Sequence, residues 1–393
     1  MTFARSLFLP PAAGKIGHYH SIDFGRGVAA LVVLVWHYQH FFYSAGSTAP
    51  NIAVSAQPFY TFLEPLYFAG YYAVDYFWAI SGFVFAAVYL ARPTNSRSFV
   101  IHRIARLYPL HLLTLLAIAA LQLSSLFLCG HEQIYVNNDL RHFLLNLFFA
   151  SHWGLEKGYS FNGPVWSVSV EVLIYAAFWL TLPFLYSRGV LWPGILAGVC
   201  WFLHFHTALQ HTDEQSLLCA FYFFGGVIAW IVISKPGGRP LPVATAATAL
   251  VAAGLAVFHW RARSTPSIGM PLFLLGLLLM FCAVELTGSR HRFRSLQWFG
   301  NCTYGTYLWH VPIQILTLIV LDRFFGSRAP ALHGWFFVAF VLLTVGTARL
   351  SYVWIESPAR AWILRRYGEG RSRNEFARNS TLIREPVLPP DSR

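Results

Sequence analysis

The chain has 393 residues, of which 56% are hydrophobic and only 11% are charged, with a formal net charge of +12. A soluble domain has about 25% charged residues, so this composition excludes an ordinary soluble protein and indicates an integral membrane protein. The positive charge does not indicate nucleic-acid binding, because the arginines fall between apolar runs and in the C-terminal tail. The five cysteines are scattered, without a CxxC pair, and do not predict a disulfide framework.

Ten apolar runs each approach the length of about 20 residues that a helix needs to cross a bilayer. They cover residues 22–43, 66–91, 104–128, 168–187, 190–207, 216–234, 241–260, 269–287, 301–323 and 333–355. The segment 141–151 is apolar but too short to span, and we interpret it as an interfacial or re-entrant helix. The sequence therefore predicts an all-α, polytopic fold with about ten transmembrane helices in one continuous bundle.

Loop charges predict the orientation of this bundle. Ten spans place both termini on one side, and the loops of that side carry more Lys and Arg than the loops of the other side. Because positive residues accumulate in cytoplasmic loops, both termini are predicted to be cytoplasmic. We expect a cytoplasmic N-terminal segment (1–20) without the layout of a cleavable signal, a transmembrane domain (21–360) and a basic, disordered cytoplasmic tail (361–393).

The first span, SIDFGRGVAALVVLVWH, carries ionisable residues in an apolar run. Arg26 and His37 are eleven residues apart, so on a helix both side chains lie on nearly the same face, roughly 16 Å apart. Such groups in a membrane normally face the protein interior or a watery cavity. This face suits a long anionic ligand whose reactive end reaches the bilayer interior. The alternative is a structural ion pair between Asp23 and Arg26, with His37 as a packing residue.

The next two spans add an acid and an arginine pair. Asp75 and Ser81 lie in the second span, AVDYFWAISGF. A carboxylate in a membrane helix needs a partner, and His37 or an arginine can supply one for Asp75. The alternative is a purely structural polar contact. Arg103 and Arg106 form an RxxR pair at the start of the third span. Guanidinium groups bind phosphate oxygens in a bidentate manner, so the pair indicates a phosphate site, although anchoring at the cytoplasmic surface explains lone arginines equally well.

Two later spans carry further polar residues. The fourth span opens with NGPVWSVSVEV, in which Trp166, Ser167 and Glu171 lie on roughly one side of the helix. At about one turn inside the membrane, this carboxylate suits contact with an acceptor that arrives from outside. In the ninth span, Tyr307 and His310 share a face, and we expect them to contact a cofactor or to support His37, with interfacial aromatic packing as the alternative.

Taken together, these segments resemble acyltransferase family 3, whose members are bacterial inner-membrane proteins that O-acylate sugars and related acceptors. SIDFGRGVAALVVLVWH resembles the opening motif with its R-x10-H pattern, and HRIARLYP resembles the RxxR segment. AVDYFWAISGF, PVWSVSVEVLIY, TYGTYLWHVPI and YVWIESPAR are similar to four further motifs, all in family order. The chain departs from the family at Phe24-Gly25, where Gly followed by a bulky residue is more frequent. It also shows no fused SGNH-type domain, so we expect it to work alone or with partners.

The resemblance implies an O-acyltransferase with acyl-CoA as the cytoplasmic donor and a hydroxyl presented on the outer side as the acceptor. Arg26, Arg103 and Arg106 would hold the nucleotide phosphates, and Asp23 would orient Arg26. The thioester would reach His37, which acts as a general base or as a transient acyl carrier; the sequence does not separate these roles.

On the acceptor side, the resemblance implies that Glu171 with Trp166 binds or positions the acceptor, and a direct proton role is also open. Family frequency favours an acetyl group and an envelope or exported polysaccharide, in the bacterial inner membrane. No metal is expected, because the histidines near residue 206 lack an organised carboxylate or cysteine set. The predicted site is catalytic His37, Asp23 and Glu171; cofactor-binding Arg26, Arg103, Arg106, Tyr307 and His310; and substrate-binding Trp166, Ser167, Asp75 and Ser81.

A secondary transporter, or a saccharide flippase without acyl chemistry, is the alternative function. Both also have many spans and a few charges within the membrane. The sequence shows no internal repeat and no matching pair of helices broken by Gly or Pro, which disfavours a transporter. Conversion of acyl-CoA to free CoA by the purified protein separates the enzyme from a carrier.

Overall fold

The computed structural model describes residues 18–47, 50–91, 94–187, 189–206, 211–235, 239–260 and 268–368. Within these ranges the chain is almost entirely helical, and its only extended pairing is an isolated antiparallel bridge between Tyr43 and Pro50. The predicted all-α class is therefore confirmed. The predicted disordered tail and most of the predicted N-terminal segment lie outside the described residues.

Fourteen α-helices follow one another along the described parts of the chain. The first seven are α1 (His20–His37), α2 (Tyr60–Ala69), α3 (Ala73–Phe85), α4 (Ser96–Cys129), α5 (Leu140–Leu147), α6 (Trp166–Ser187) and α7 (Leu191–His206). The others are α8 (His211–Ser234), α9 (Pro240–Trp260), α10 (Gly269–Leu286), α11 (Gln297–Asn301), α12 (Thr303–Val320), α13 (Gly334–Ser351) and α14 (Ser357–Tyr367). Short 3₁₀ or π segments extend several of them, at Tyr38–Phe42, Gly70–Tyr72, Ala86–Leu90, Gly163–Val165, Leu321–Phe325 and Tyr352–Glu356.

Eight continuous helical stretches are long and apolar enough to cross a membrane. They are Tyr60–Leu90, Ser96–Cys129, Gly163–Ser187, Glu214–Ser234, Pro240–Phe258, Gly269–Leu286, Arg292–Phe325 and Gly334–Tyr367. Helices α1 and α7 occupy the other two predicted spans. Large apolar side chains remain exposed on the outside of the bundle, as at Phe127 (89% exposed), where lipid rather than water is the suitable solvent. A polytopic fold is confirmed, while the count of ten and the side of the termini stay predictions.

The predicted short helix at 141–151 is found as α5. Its first turn is capped by Asp139, whose carboxylate accepts a hydrogen bond from the His142 backbone N–H at 2.9 Å. The same contact holds the pKa of Asp139 below its usual value, because the hydrogen bond favours the charged carboxylate. The ring Nε2–H of His111 on α4 donates to the Asn146 carbonyl at 2.8 Å and ties α5 to the bundle.

Helix α1 packs against α2, α3, α10, α11 and α12, and is therefore the central element that positions the site. Its N-terminus is fixed by the buried Glu285 of α10. That carboxylate accepts hydrogen bonds from both the backbone N–H and the hydroxyl of Ser21, at 2.6 and 2.7 Å. These bonds satisfy a donor that every helix leaves open in its first turn.

Helices α3 and α8 cross at very close range, and a glycine on each helix makes this possible. A Cβ added at Gly82 would overlap the carbonyl of Phe223, and one added at Gly226 would overlap the carbonyl of Ala79. Only glycine at both positions lets the two backbones meet, which is a common device in membrane helix packing. The contact leaves the other face of α3, with Trp78 and Ser81, to line an internal cavity.

Candidate active site

A cavity of about 360 Å³ lies between α1, α3, α4, α6, α12 and the C-terminal part of the chain. Its polar lining consists of His18, Asp23, Arg26, Ser81, Arg103, Arg106, Ser167, Glu171, Tyr175, Asn301, Thr303, Tyr304, Tyr307, Tyr352 and Arg360. Eight of these are predicted site residues, namely Asp23, Arg26, Ser81, Arg103, Arg106, Ser167, Glu171 and Tyr307. The other four, His37, Asp75, Trp166 and His310, are not in the lining. We call this space the arginine cavity.

Two arginines of the cavity are held by backbone, acidic and aromatic groups. Arg26 donates to the Gly300 carbonyl at 2.9 Å, and its Nη2 lies 3.3 Å from the Asp23 carboxylate. The guanidinium of Arg103 lies over the Phe85 ring, 4.6 Å from its centre, in a cation–π contact. These contacts fix both groups before any ligand arrives.

Arg106 makes weaker contacts. Its Nη1 lies 3.8 Å from the carboxylate of Glu356, a residue only 5% exposed, and its guanidinium lies 5.6 Å from the centre of the Tyr304 ring. An ion pair of this length lacks the short, charge-assisted hydrogen bonds of a strong pair. Arg106 therefore keeps donors that a phosphate group can use.

Arg360 of α14 is the fourth arginine of the cavity, and the sequence analysis assigned it no role. It lies within electrostatic range of Arg26, Arg103 and Arg106. The available signal was its position four residues after the buried Glu356 in YVWIESPAR, which puts both on one face of the helix. Four arginines of the lining face the carboxylates of Asp23 and Glu171 in the lining and of Glu356 behind Arg106, so positive charge remains in excess and the cavity suits an anionic ligand.

Glu171 lies inside the arginine cavity, beside Ser81, Tyr175 and Arg103. The Ser81 and Tyr175 hydroxyls are 3.4 Å apart and complete this polar corner. The sequence predicted that Glu171, about one turn inside the membrane, contacts the acceptor, and this role stays a prediction. The structure places it next to Arg103, on the part of the lining where side chains of α4 and α6 meet, as Phe99 and Trp179 do with ring centres 4.5 Å apart.

Ser167 and Tyr307 close the cavity at the point where α6 meets α12. Their hydroxyl oxygens are 2.7 Å apart, and the Tyr307 hydroxyl also lies 2.7 Å from the Pro164 carbonyl, which accepts its hydrogen bond. Trp166 does not face this cavity. Its ring packs edge-to-face on Trp78, with the ring centres 5.8 Å apart, and lies 5.1 Å from the His152 ring. Trp166 therefore contacts the loop between α5 and α6.

The C-terminal end of α1 carries a second group of polar residues, which we call the histidine cluster: His37, His40 and His310. The His37 ring centre lies 4.9 Å from that of His40 and 4.7 Å from that of His310. All three are buried, with exposed fractions of 6%, 3% and 0%. Because α1 runs without a break from Arg26 to His37, the predicted separation of roughly 16 Å along one helix holds.

The tautomer of His37 follows from its main-chain contact. Its Nδ1 lies 2.9 Å from the Val33 carbonyl, which can only accept, so Nδ1 carries the hydrogen and Nε2 keeps its lone pair. The side chain of Gln314 donates to the His37 carbonyl at 2.7 Å. A histidine oriented in this way has the free nitrogen that a general base or a nucleophile needs.

Sequence reasoning missed His40 and Gln314. His40 lies three residues after His37 in WHYQH, and Gln314 lies four residues after His310 in HVPIQ, so helical spacing was the available signal. Their importance appears only when α1 and α12 are packed together.

Asp75 lies apart from both groups. It is 6% exposed, and its partner is Tyr222 of α8. Of the two readings that the sequence left open, this contact corresponds to the structural one, because the glycine-mediated crossing of α3 and α8 brings a tyrosine of α8 to Asp75. Asp75 thus contributes to helix packing in this structure, and the substrate-binding role predicted for it lacks a contact with the cavity.

The loop between α4 and α6 covers the histidine cluster. The Tyr135 ring lies 5.7 Å from the His40 ring and 6.1 Å from the Tyr159 ring. Burial raises the pKa of the Tyr135 phenol well above its usual value, so the group stays a neutral hydroxyl. A second, more open cavity of about 520 Å³ begins nearby at Tyr43, whose ring lies 4.9 Å from that of His40.

Comparison with known proteins gives consistent matches. A family model described as an acyltransferase domain, the model of acyltransferase family 3, matches residues 19–353. A putative peptidoglycan O-acetyltransferase, YrhL of Bacillus subtilis, is 23% identical, with 74% of this chain and 50% of the relative covered. The peptidoglycan O-acetyltransferase OatA of Listeria monocytogenes is 26% identical, with 74% and 51% covered. The chain thus spans about half the length of both relatives. No solved structure matches it.

Proposed function

The chain belongs to acyltransferase family 3, and from this premise we propose that it is a multi-pass membrane enzyme that transfers an acyl group to a sugar hydroxyl. One observation carries the proposal: a single helix, α1, joins a cavity lined by four arginines to a buried histidine with a free ring nitrogen. A polyanionic donor with its reactive group at the far end of a long arm fits this layout.

The donor that we propose is acyl-CoA. Its phosphates would be bound by Arg26, Arg103, Arg106 and Arg360, whose planar guanidinium groups suit phosphate oxygens. Glu171 would position Arg103 rather than contact the acceptor, because it lies beside that arginine. The pantetheine arm would run along α1 and past Tyr307 towards the histidine cluster, where the thioester would lie next to His37.

His37 would supply the chemistry at that end. As a general base, its Nε2 takes the proton of the acceptor hydroxyl while the oxygen attacks the thioester carbon; the C–S bond then breaks and the leaving sulfur takes the proton. As an acyl carrier, the same nitrogen attacks the thioester carbon, the C–S bond breaks and CoA leaves as the thiolate. The acceptor oxygen then attacks the acyl carbon, the C–N bond breaks, and the hydroxyl proton passes to the thiolate. Both routes need the tautomer that the Val33 carbonyl selects.

For the acceptor we propose a polysaccharide of the cell envelope, with acetyl as the acyl group. The two relatives are named peptidoglycan O-acetyltransferases, the first of them putatively, which supports this class. The open cavity at Tyr43 supports entry of the acceptor at the histidine end, opposite the arginine cavity. In this scheme the protein lies in the inner membrane of a bacterium, with the arginine end in the cytoplasm.

The test uses the purified protein in sealed vesicles with [¹⁴C]acetyl-CoA and soluble glycan strands of peptidoglycan. We expect labelled acetyl esters and free CoA in equal amounts from the wild type. His37→Ala should lower this rate by about 10²–10⁴-fold, the range of a lost acid–base group. His206→Ala is the matched control, since this exposed histidine lies at the end of α7, bonded to its own helix.

Three results would contradict the proposal in different ways. Equal rates for wild type and His37→Ala would keep the enzyme but remove this histidine from the reaction. Label that crosses the membrane without release of CoA would favour the transporter or flippase alternative. Absence of both CoA release and CoA binding would exclude acyl-CoA as the donor.

A further inference from the structure

Arg328, in the connection between α12 and α13, uses every donor of its guanidinium group. Its Nε and Nη2 donate to the two carboxylate oxygens of Asp322, at 2.8 and 2.6 Å. Nη2 also donates to the side-chain oxygen of Gln133 at 3.0 Å, and Nη1 donates to the carbonyls of Phe41 and Tyr43, at 3.3 and 2.6 Å. Arginine has five N–H donors in a fixed plane, so this guanidinium is fully engaged within the protein.

Three of these bonds and one more bond hold the helices that carry the histidine cluster. The two carbonyls belong to the end of the 3₁₀ segment that continues α1 and includes His40. Asp322, which accepts two bonds, lies in the π segment that continues α12, the helix of His310. One guanidinium therefore fixes the C-terminal ends of α1 and α12 relative to each other.

The remaining bond holds residues 131–138, which follow α4 and which we call the covering loop. Gln133 of this loop is 1% exposed and is also paired with Gln122 of α4. Its backbone N–H donates to the Gln122 side-chain oxygen at 3.0 Å, and its carbonyl accepts from the Gln122 amide at 2.9 Å. The next residue, Ile134, has a φ of +60°, which is a strained conformation for a branched side chain. Such strain persists only where the surroundings impose it, as Gln133 and its partners do here.

This strained turn directs Tyr135 over the histidine cluster. The Tyr135 ring centre lies 5.7 Å from that of His40. On another side the ring meets the chain just before α6, where a Cβ added at Gly163 would lie 2.3 Å from it. The following residue, Val136, is 45% exposed, so the covering loop is the boundary between the histidine cluster and the outside.

We infer that Arg328 is a positioning residue that keeps the covering loop closed over the histidine cluster and thereby excludes water from the acyl group. The inference rests on the proposed function and concerns the competition between two acceptors, a sugar hydroxyl and water. Closed active sites suppress such side reactions by excluding water. The sugar would enter beside Tyr43, whose ring lines the open cavity and lies 4.9 Å from that of His40.

Water that reached the thioester would react as the sugar does. Its oxygen would attack the acyl carbon, one of its protons would pass to Nε2 of His37, and the C–S bond would break. The proton would then pass to the leaving sulfur, so that the products are acetic acid and free CoA. If His37 carries the acyl group, water attacks the same carbon, the C–N bond breaks and the proton passes to the CoA thiolate.

The test measures acetate, acetyl ester and free CoA together, with purified protein, [¹⁴C]acetyl-CoA and glycan strands of peptidoglycan either present or absent. Arg328→Lys keeps a positive charge beside Asp322, but one ammonium group cannot reach the carboxylate, the amide and both carbonyls. Loss of charge-assisted hydrogen bonds shifts the equilibrium between closed and open loop by about 10–100-fold, so acetate formation without glycan should rise by about that factor. The affinity for CoA should change by less than about threefold, because the arginine cavity lies at the other end of α1.

Two further variants place the effect at the histidine cluster. Arg323→Lys is the matched control, since this exposed arginine lies against the neighbouring Phe324 ring and should form acetate like the wild type. Arg328→Lys/His37→Ala should lose the excess acetate, because hydrolysis then lacks its base. Gln133→Met removes only the contact of the covering loop and should also raise acetate formation, which keeps the inference testable if Arg328→Lys does not fold.

A double-mutant cycle shows whether Arg328 acts through the covering loop. Tyr135→Ala removes the ring that covers His40 and should raise acetate formation with Arg328 intact. Because both residues act on one closure, Arg328→Lys/Tyr135→Ala should form acetate only as fast as the faster single variant. Effects that multiply in the double variant would overturn the inference.

The result for the wild type separates the inference from the proposed function. Ester formation by the wild type, with no excess acetate from folded Arg328→Lys or Gln133→Met, would overturn the inference and leave the proposed function intact. Excess acetate that persists in Arg328→Lys/His37→Ala would also overturn it, because the hydrolysis would then occur away from the cluster. A wild type that neither releases nor binds CoA would overturn the proposed function itself.

Discussion

The two ends of α1 carry different chemical groups, arginines at one end and histidines at the other. At the arginine cavity, Arg26 and Arg103 are held by a carbonyl, a carboxylate and an aromatic ring. At the histidine cluster, three imidazoles lie buried, with the ring centres of His40 and His310 4.9 and 4.7 Å from that of His37. Fixed positive charges suit the binding of an anionic donor, whereas a neutral imidazole can take up a proton during the reaction. The difference indicates a binding end and a reaction end.

If this division holds, substitutions at the two ends have separable effects. Changes at the arginine cavity should alter the affinity for the donor and leave the rate at saturation nearly unchanged. Changes at the histidine cluster should do the reverse, because interactions made only in the transition state appear in kcat.

The largest change in affinity is expected for the double substitution Arg103→Gln/Arg106→Gln. Each charge-assisted hydrogen bond to a phosphate contributes about 1.5–3 kcal/mol, so the loss of both should weaken CoA binding by about 10²–10⁴-fold. Isothermal titration of the detergent-solubilised protein with CoA measures this. The wild-type affinity should also fall with added salt, and the double variant should show a smaller salt dependence.

The control for that variant is Arg97→Gln, since Arg97 lies on the same helix but outside the lining of the arginine cavity. Unchanged CoA affinity in the double variant would show that Arg103 and Arg106 do not bind CoA. The arginine cavity could then no longer be called the binding end.

A smaller loss is expected for Arg360→Gln. Removing one of four phosphate donors should weaken CoA binding by about 10–100-fold, by the same magnitude per interaction. Arg366→Gln tests the same helix at an exposed position, and should bind CoA like the wild type. Equal affinities of Arg360→Gln and Arg366→Gln would show that Arg360 shapes the cavity without touching the phosphates.

Arg360 also shows where prediction from sequence ended. The apolar runs predicted the positions of the helices, because a helix that crosses a bilayer must be about 20 apolar residues long. The spacing of Arg26 and His37 predicted their separation, because both lie on one unbroken helix. Neither argument says which helices are neighbours in the fold. The contact between α14, which carries Arg360, and α4, which carries Arg103 and Arg106, was therefore not predictable.

The same limit applies to the partners of Asp75 and Glu171. The sequence showed that each acid lies inside a membrane helix and needs a partner. Which partner it meets depends on how the helices are arranged. Gly82 and Gly226 set the crossing that brings Tyr222 to Asp75, and Glu171 meets Arg103 of α4 across the cavity. Polar residues in a span thus predict a contact, but the tertiary packing decides its identity.

The smallest change in CoA affinity is expected for Glu356→Gln, and this change should be an increase rather than a loss. The Glu356 carboxylate lies 3.8 Å from Arg106 and is buried, so it competes with an incoming phosphate for the same guanidinium. Two like charges about 8 Å apart repel by about 2 kcal/mol at an effective dielectric constant near 20. Partial relief of this repulsion should tighten CoA binding by about 3–10-fold, while Glu64→Gln, at an exposed position on α2, should have no effect.

Glu356→Gln also tests whether this carboxylate stabilises the arginine cavity when no ligand is bound. Removal of the carboxylate leaves Arg106 without its acidic partner near three other cations, so the ligand-free protein should unfold at a lower temperature than the wild type. Added CoA should restore more of the melting temperature in the variant than in the wild type, since tighter binding stabilises the folded state more. A variant that binds CoA more weakly would instead place Glu356 among the groups that orient Arg106 for phosphate. The binding end would then depend on its acidic residues as much as on its arginines.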